Sequence, residues 1–172
     1  MSYDLYLLEC APGEDADALH ERLEQLDEDE EQGVHDPAVA ARNRRIADAL
    51  LASNPALSEF SPPDRDWELE LSDPEGLQIT LFSDQASITF PYWDSLDSGK
   101  LMEQIQDVAR IINAETGWRL FDPQVEEVVD PAQGPPDITE AFDHGRDQLR
   151  KVVGHSDESG SRPPWWKRLF GG

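Results

Sequence analysis

The chain has 172 residues, enough for one domain that buries roughly 70% of its unfolded surface, and carries 37 acidic against 14 basic residues for a formal net charge of -23. An acidic excess spread over most of the chain excludes the basic stripe that nucleic-acid phosphates require. It leaves two readings, solubility alone or long-range attraction of a basic partner protein.

Cys10 is the single cysteine, so no internal disulfide can form. The opening "MSYDLYLLEC" is too short and too acidic for a signal peptide, and no apolar run approaches the roughly 18 residues of a membrane span. The expected compartment is the cytoplasm.

"YDLYLLE", residues 3 to 9, reads as a strand with Tyr3, Leu5 and Leu7 on one face and Tyr6 and Leu8 on the other. Apolar residues on both faces place it centrally in a sheet. From Glu14 to Leu26 the apolar positions Ala16, Leu19, Leu23 and Leu26 recur at three and four, predicting a helix with a narrow buried stripe. The run Asp27 to Gly33 is too charged to pack and reads as a solvated loop. Asp36 as cap and Pro37 at the first helical position start a second helix that runs to about Ser53. "NP" at 54 and 55 stops it, and Leu57 and Phe60 are expected to fold back onto the core.

Three alternating stretches follow: Trp67, Leu69 and Leu71; Leu77, Ile79 and Leu81; Ala86, Ile88, Phe90 and Tyr92. The breaks "SDPEG" and "SDQ" are short turn sequences, so the three form an antiparallel meander with one wet face. Its apolar face needs a helix. Asp97 or Ser98 can cap one whose stripe is Leu101, Ile105, Val108, Ala109 and Ile112, with Gly117 at the left-handed C-terminal cap. Residues 118 to 122, "WRLFD", read as a fifth strand, Pro123 blunts its end, and "VEEVV" continues along an edge.

After "DPAQGPPD" a last helix spans Ile138 to Val153, capped by Asp137, with Ile138, Ala141, Phe142, Leu149 and Val152 inward; its smaller apolar surface makes it peripheral. Residues 154 to 164 have the composition of a flexible linker. The expected fold is α+β: a mainly antiparallel sheet of about five strands, helices packed on one face, and a flexible C-terminal tail. The organisation is a core over 1–130, a peripheral helix over 131–153, and linker and tail over 154–172.

"MSYDLYL", "FPYW" at 90 to 93 and "GWRLFDPQ" at 117 to 124 resemble a set of small bacterial proteins that share a Tyr-Asp-Leu first strand and a late strand ending in Asp-Pro-Gln. The similarity covers roughly residues 1 to 130. It implies a bacterial α+β domain and carries over no activity and no functional residue.

Chemistry is sparsely marked. His20, His35, His144 and His155 fall in no ligand spacing, and His20 with Glu24 is an ordinary same-face helix pair. No nucleophile elbow or phosphate-binding loop occurs, so no catalytic, metal or cofactor residue is assigned. Cys10 reads as a small buried hydrophobe, with a reactive thiol as the alternative. The acidic run Asp27 to Glu31 lacks the glycine and spacing of a calcium loop. Asp122 before Pro123 is a turn former, with Gln124 free to hydrogen-bond backbone. If a pocket exists, its wall is expected to be Tyr92, Trp93, Trp118, Asp122 and Gln124, carried together by strand ends. A small enzyme with its site near Trp93 and Asp122 is the competing functional class.

The end of the chain differs from the rest. "RPPWWKRLFGG" sets two tryptophans, a leucine, a phenylalanine and three cations on an acidic protein. Trp165, Trp166, Lys167, Arg168, Leu169 and Phe170 cannot form a core alone, and three destinations compete. The segment packs on its own domain, docks on another protein through aromatic and Arg anchors, or lies in a membrane interface. Cations contribute roughly 1 kcal/mol each at an anionic surface, and a single short peptide makes a weak anchor. Protein docking is therefore favoured over membrane contact. The function expected from the sequence is non-enzymatic protein binding, in the form of an immunity-like acidic escort of a basic protein or of an adaptor that recruits through its tail.

Overall fold

A computed structural model of the chain describes residues 2–11, 14–30, 36–61, 68–92, 97–133 and 142–147. Seven strands form one sheet in the order β2-β3-β4-β5-β1-β6-β7, with every neighbouring pair antiparallel. The strands are β1 (Ser2–Leu8), β2 (Ser58–Phe60), β3 (Leu69–Ser72), β4 (Gln78–Leu81), β5 (Gln85–Pro91), β6 (Arg119–Asp122) and β7 (Glu127–Val129). The helices are α1 (Ala16–Glu30), α2 (Pro37–Ser53) and α3 (Ser98–Thr116), with a short helical segment at 142–147.

β1 lies between β5 and β6, so both of its edges are hydrogen-bonded and both of its faces are covered. That is why its apolar residues do not alternate with polar ones. β5 and β6, each antiparallel to β1, run parallel to each other and are joined over the sheet by α3. The meander is β3-β4-β5, as the alternation predicts. In its first turn Asp73 Oδ1 accepts from the backbone N–H groups of Glu75 (2.9 Å) and Leu77 (3.0 Å). Gly76 takes a φ of 96°, which a side chain would resist. Trp67 lies outside the described residues.

The helix boundaries follow their caps. The Asp36 side chain accepts from Ala38 N–H with Pro37 opening α2, and Asp97 accepts from Lys100 N–H to start α3. Gly117 closes α3 in the left-handed conformation, φ 73°.

Four expectations need correction. The sheet has seven strands instead of five, because two three-residue edge strands, β2 and β7, are too short to show an alternation; β7 lies within the stretch expected to continue along an edge. The helices are not confined to one face. α2 and α3 cover the face bearing Tyr3, Leu5, Leu7, Ile79, Ile88 and Leu120, while α1 sets Leu19 and Leu23 against Leu8 and Phe121 on the other. The apolar back of β1 and β6 demands that second cover. α1 also extends through Asp27 to Glu30, where a solvated loop is expected: glutamate is a good helix former and a charged last turn needs no core. Leu57 is buried as expected, but Phe60 is 59% exposed on the outermost strand.

The segment 142–147 closes one end of the main core. Phe142, fully buried, stacks on Tyr92 (ring centroids 5.4 Å apart, planes 13° apart) and contacts Tyr3 and Phe90. Ile138, Ala141, Leu149 and Val152 lie outside the described residues, as does the whole of 148–172.

Candidate functional site

β6 leaves the centre of the sheet and turns into β7 through residues 123 to 126. Asp122 opens that turn and Pro123 occupies its second position, the arrangement these residue types favour. Glu126 completes it with a φ of 57°. The alternation along β6 directs Leu120 and Asp122 to the face of the main core and Phe121 to the other. Asp122 is thereby carried, 2% exposed, to the foot of β1.

There Tyr3 meets it. The Tyr3 hydroxyl donates to Asp122 Oδ2 at 2.6 Å, across 119 positions of sequence. Asp122 Oδ1 accepts from Gln124 N–H at 2.9 Å. With its amide oriented to satisfy both partners, the Gln124 side chain donates to Asp122 Oδ1 (2.8 Å) and to the Asp4 carbonyl oxygen (3.1 Å). Burial pushes the Asp122 carboxyl above the ordinary aspartate range, against the opposing pull of the Tyr3 hydroxyl and the N–H groups of Gln124 and Val125. The Tyr3 phenol is pushed far up, first by burial and then by its bond to the carboxylate. Tyr92, above Tyr3 with ring centroids 5.9 Å apart, is also raised, by burial and by the charges of Asp4 and Asp122.

This cluster unites three of the five residues expected to line a pocket: Tyr92, Asp122 and Gln124. Trp118 is elsewhere. It sits at the opposite end of β6, about 13 Å away along the strand, 7% exposed, with the Arg42 guanidinium stacked 4.7 Å from its ring centroid. Arg42 is held there by the carbonyls of Phe82 (3.0 Å) and Ser83 (2.7 Å), so the Trp118 site ties α2 to the β4–β5 turn. Trp93 and the tail residues Trp165, Trp166, Lys167, Arg168, Leu169 and Phe170 lie outside the described residues.

The residue that sequence reasoning missed is Tyr3, which read only as an inward-facing strand residue. No local signal pairs it with Asp122, because the contact depends on the β1–β6 register.

The remaining candidates have structural surroundings. Cys10 Sγ donates to the Leu8 carbonyl at 3.5 Å and burial raises its pKa, opposite to the activation a nucleophilic thiol needs. His20 sets its ring edge-on to Phe121 at 5.3 Å. Among the described residues no group of three or more His, Cys, Asp or Glu is placed to hold a metal ion, and no helix is long and apolar enough to cross a membrane.

Among the described residues, two surface clefts flank α3. One, of about 220 Å³, lies between α2 and α3 with Leu50, Leu57, Leu77 and Ile111 in its wall. The other, of about 370 Å³, is more open and is lined by Met102, Glu103, Gln106, Asp107 and Arg110. Asp107 borders both. Comparison with protein-family models, with curated proteins and with solved structures returned no match.

Chemically, the Tyr3–Asp122 pair is a latch. Each carboxylate oxygen already accepts a hydrogen bond from the chain, and the group is closed to solvent.

Proposed function

We propose that this chain is a non-enzymatic, cytoplasmic protein-binding module. Its acidic body attracts a basic partner protein, and the C-terminal segment Trp165–Phe170 supplies a second contact. The observation that carries this reading is the net charge of -23 displayed on separate elements. Exposed acids include Asp17 and Glu21 on α1, Asp48 on α2, Glu103, Asp107 and Glu115 on α3, and Glu126 and Glu127 at the β6–β7 hairpin. A field of one sign over the surface raises association rates with an oppositely charged protein and rejects like-charged ones. The internal engagement of Asp122, the buried carboxyl with a raised pKa, supports binding over catalysis at that position.

The test is capture from cells of the source organism with the full chain and with a chain ending at Ser161, followed by kinetics with the protein recovered. The expected result is a basic protein retained by the full chain, lost on truncation, whose association rate falls about tenfold or more between low and high salt. An association rate that does not change with salt would refute electrostatic capture.

A further inference from the structure

The cleft between α2 and α3 is apolar on its floor and too small for a metabolite. At about 220 Å³ it lies below the roughly 300–1,000 Å³ of small-molecule sites and is of the size of a single large side chain. Asp107 stands on its rim, and across α3 the second cleft adds Glu103, one helical turn from Asp107. Beneath that second cleft Gln106, 6% exposed, donates through Nε2 to the Pro131 carbonyl at 3.1 Å, while its Oε1 is buried without a hydrogen-bond partner. A buried acceptor left empty costs about 1–3 kcal/mol, so a donor arriving there is favoured.

The two clefts together ask for a particular ligand: a large apolar side chain followed directly by a cation with N–H groups to spare. "WWKR", residues 165 to 168, has that order. Its length also fits. The 17 residues from 148 to 164 separate the described structure from Trp165 and span at most roughly 55 Å, about twice the length of α3, some 28 Å. Attachment to the same chain supplies an effective concentration in the millimolar range, so a weak contact is enough.

We propose that the chain's own C-terminal segment docks in cis across α3, an indole of Trp165 or Trp166 in the α2–α3 cleft and Lys167 or Arg168 between Asp107, Glu103 and Gln106 Oε1. Arg110, which lines the second cleft, faces the other indole, a pairing that the ring quadrupole favours. This inference rests on the reading of the segment as a docking element. It adds regulation, because a segment held on α3 is withheld from a partner until displaced.

The experiment uses the full chain with a nitroxide label on Gly171→Cys in a Cys10→Ser background. Amide signals of Leu77, Asp107 and Ile111 are expected to lose most of their intensity, and a further Asp107→Lys change on the exposed rim is expected to restore them. Intact signals at these residues, or the same loss in Asp107→Lys, overturn the proposal. Loss transmitted from labelled copies to unlabelled ones mixed with them overturns docking in cis and assigns the cleft to a second copy. Partner capture is read separately. Asp107→Lys is expected to increase it, and an absence of any partner with the broadening intact defeats the proposed function while leaving the docking standing.

Discussion

Phe142→Ala is expected to lower the stability of the domain by about 3–5 kcal/mol, the cost of emptying a fully buried aromatic site. In a chain of this length that corresponds to a fall in thermal midpoint of roughly 6–20 °C, measurable by calorimetry or by urea titration. The size follows from what the ring touches. Phe142 stacks on Tyr92 and packs against Phe90 (5.4 Å) and Tyr3 (6.1 Å), so its removal opens a void beside the Tyr3–Asp122 bond as well as losing its own burial. A loss under about 1 kcal/mol would instead mark 142–147 as an appendage. Gly145 gives an independent measure of the same docking. A Cβ there would stand 2.6 Å from Tyr92 Cε1, so Gly145→Ala forces the ring or the helical segment to move and is expected to destabilise by about 1–3 kcal/mol.

Phe142 was visible in the sequence as an inward position of a helical stripe; its role as the plug of the main core was not. The difference is general in this chain. The meander and α3 announce themselves because one face of each is wet, and alternation or a three-four spacing records which side is buried. β2 leaves no such record. Its three residues, Ser58 to Phe60, are all exposed and are held by pairing with β3 and by the Arg44–Glu59 ion pair from α2. The end of α1 departs from the expected loop for a related reason, since charge density tells whether a segment packs and not whether its backbone remains helical. At the candidate site, Asp122 and Gln124 were recognisable as turn chemistry. Trp118 is expected beside them on the ground that strand ends carry these residues together, yet the four residues of β6 put it at the opposite end of the strand and into contact with Arg42. Tyr3 could be connected to Asp122 only through the strand register.

Tyr3→Phe is expected to cost about 1.5–3 kcal/mol where Asp122 is ionised, the usual range for a hydrogen bond to a charged acceptor. Asp122→Ala should cost more, about 2–5 kcal/mol, because the Tyr3 hydroxyl is left buried without an acceptor and the part-buried Gln124 N–H loses its partner as well. The pH dependence separates this latch from ordinary packing. Folding raises the Asp122 pKa above its usual 3.8, so the folded state holds this proton more tightly than the unfolded one. Its contribution therefore favours folding most below 3.8 and weakens as pH rises through the raised folded value. Glu59 runs the opposite way. The Arg44 side chain holds it below the usual 4.5, so its contribution is present above 4.5 and is lost as pH falls. A single stability curve mixes the two, and the difference between wild type and Tyr3→Phe isolates Asp122. The Tyr3 bond opposes the rise in the Asp122 pKa, so its removal lets that pKa climb further and penalises the ionised form. The deficit of Tyr3→Phe should grow as pH rises through the Asp122 transition and shrink on acidification; a deficit constant with pH would mean that the 2.6 Å contact contributes only shape.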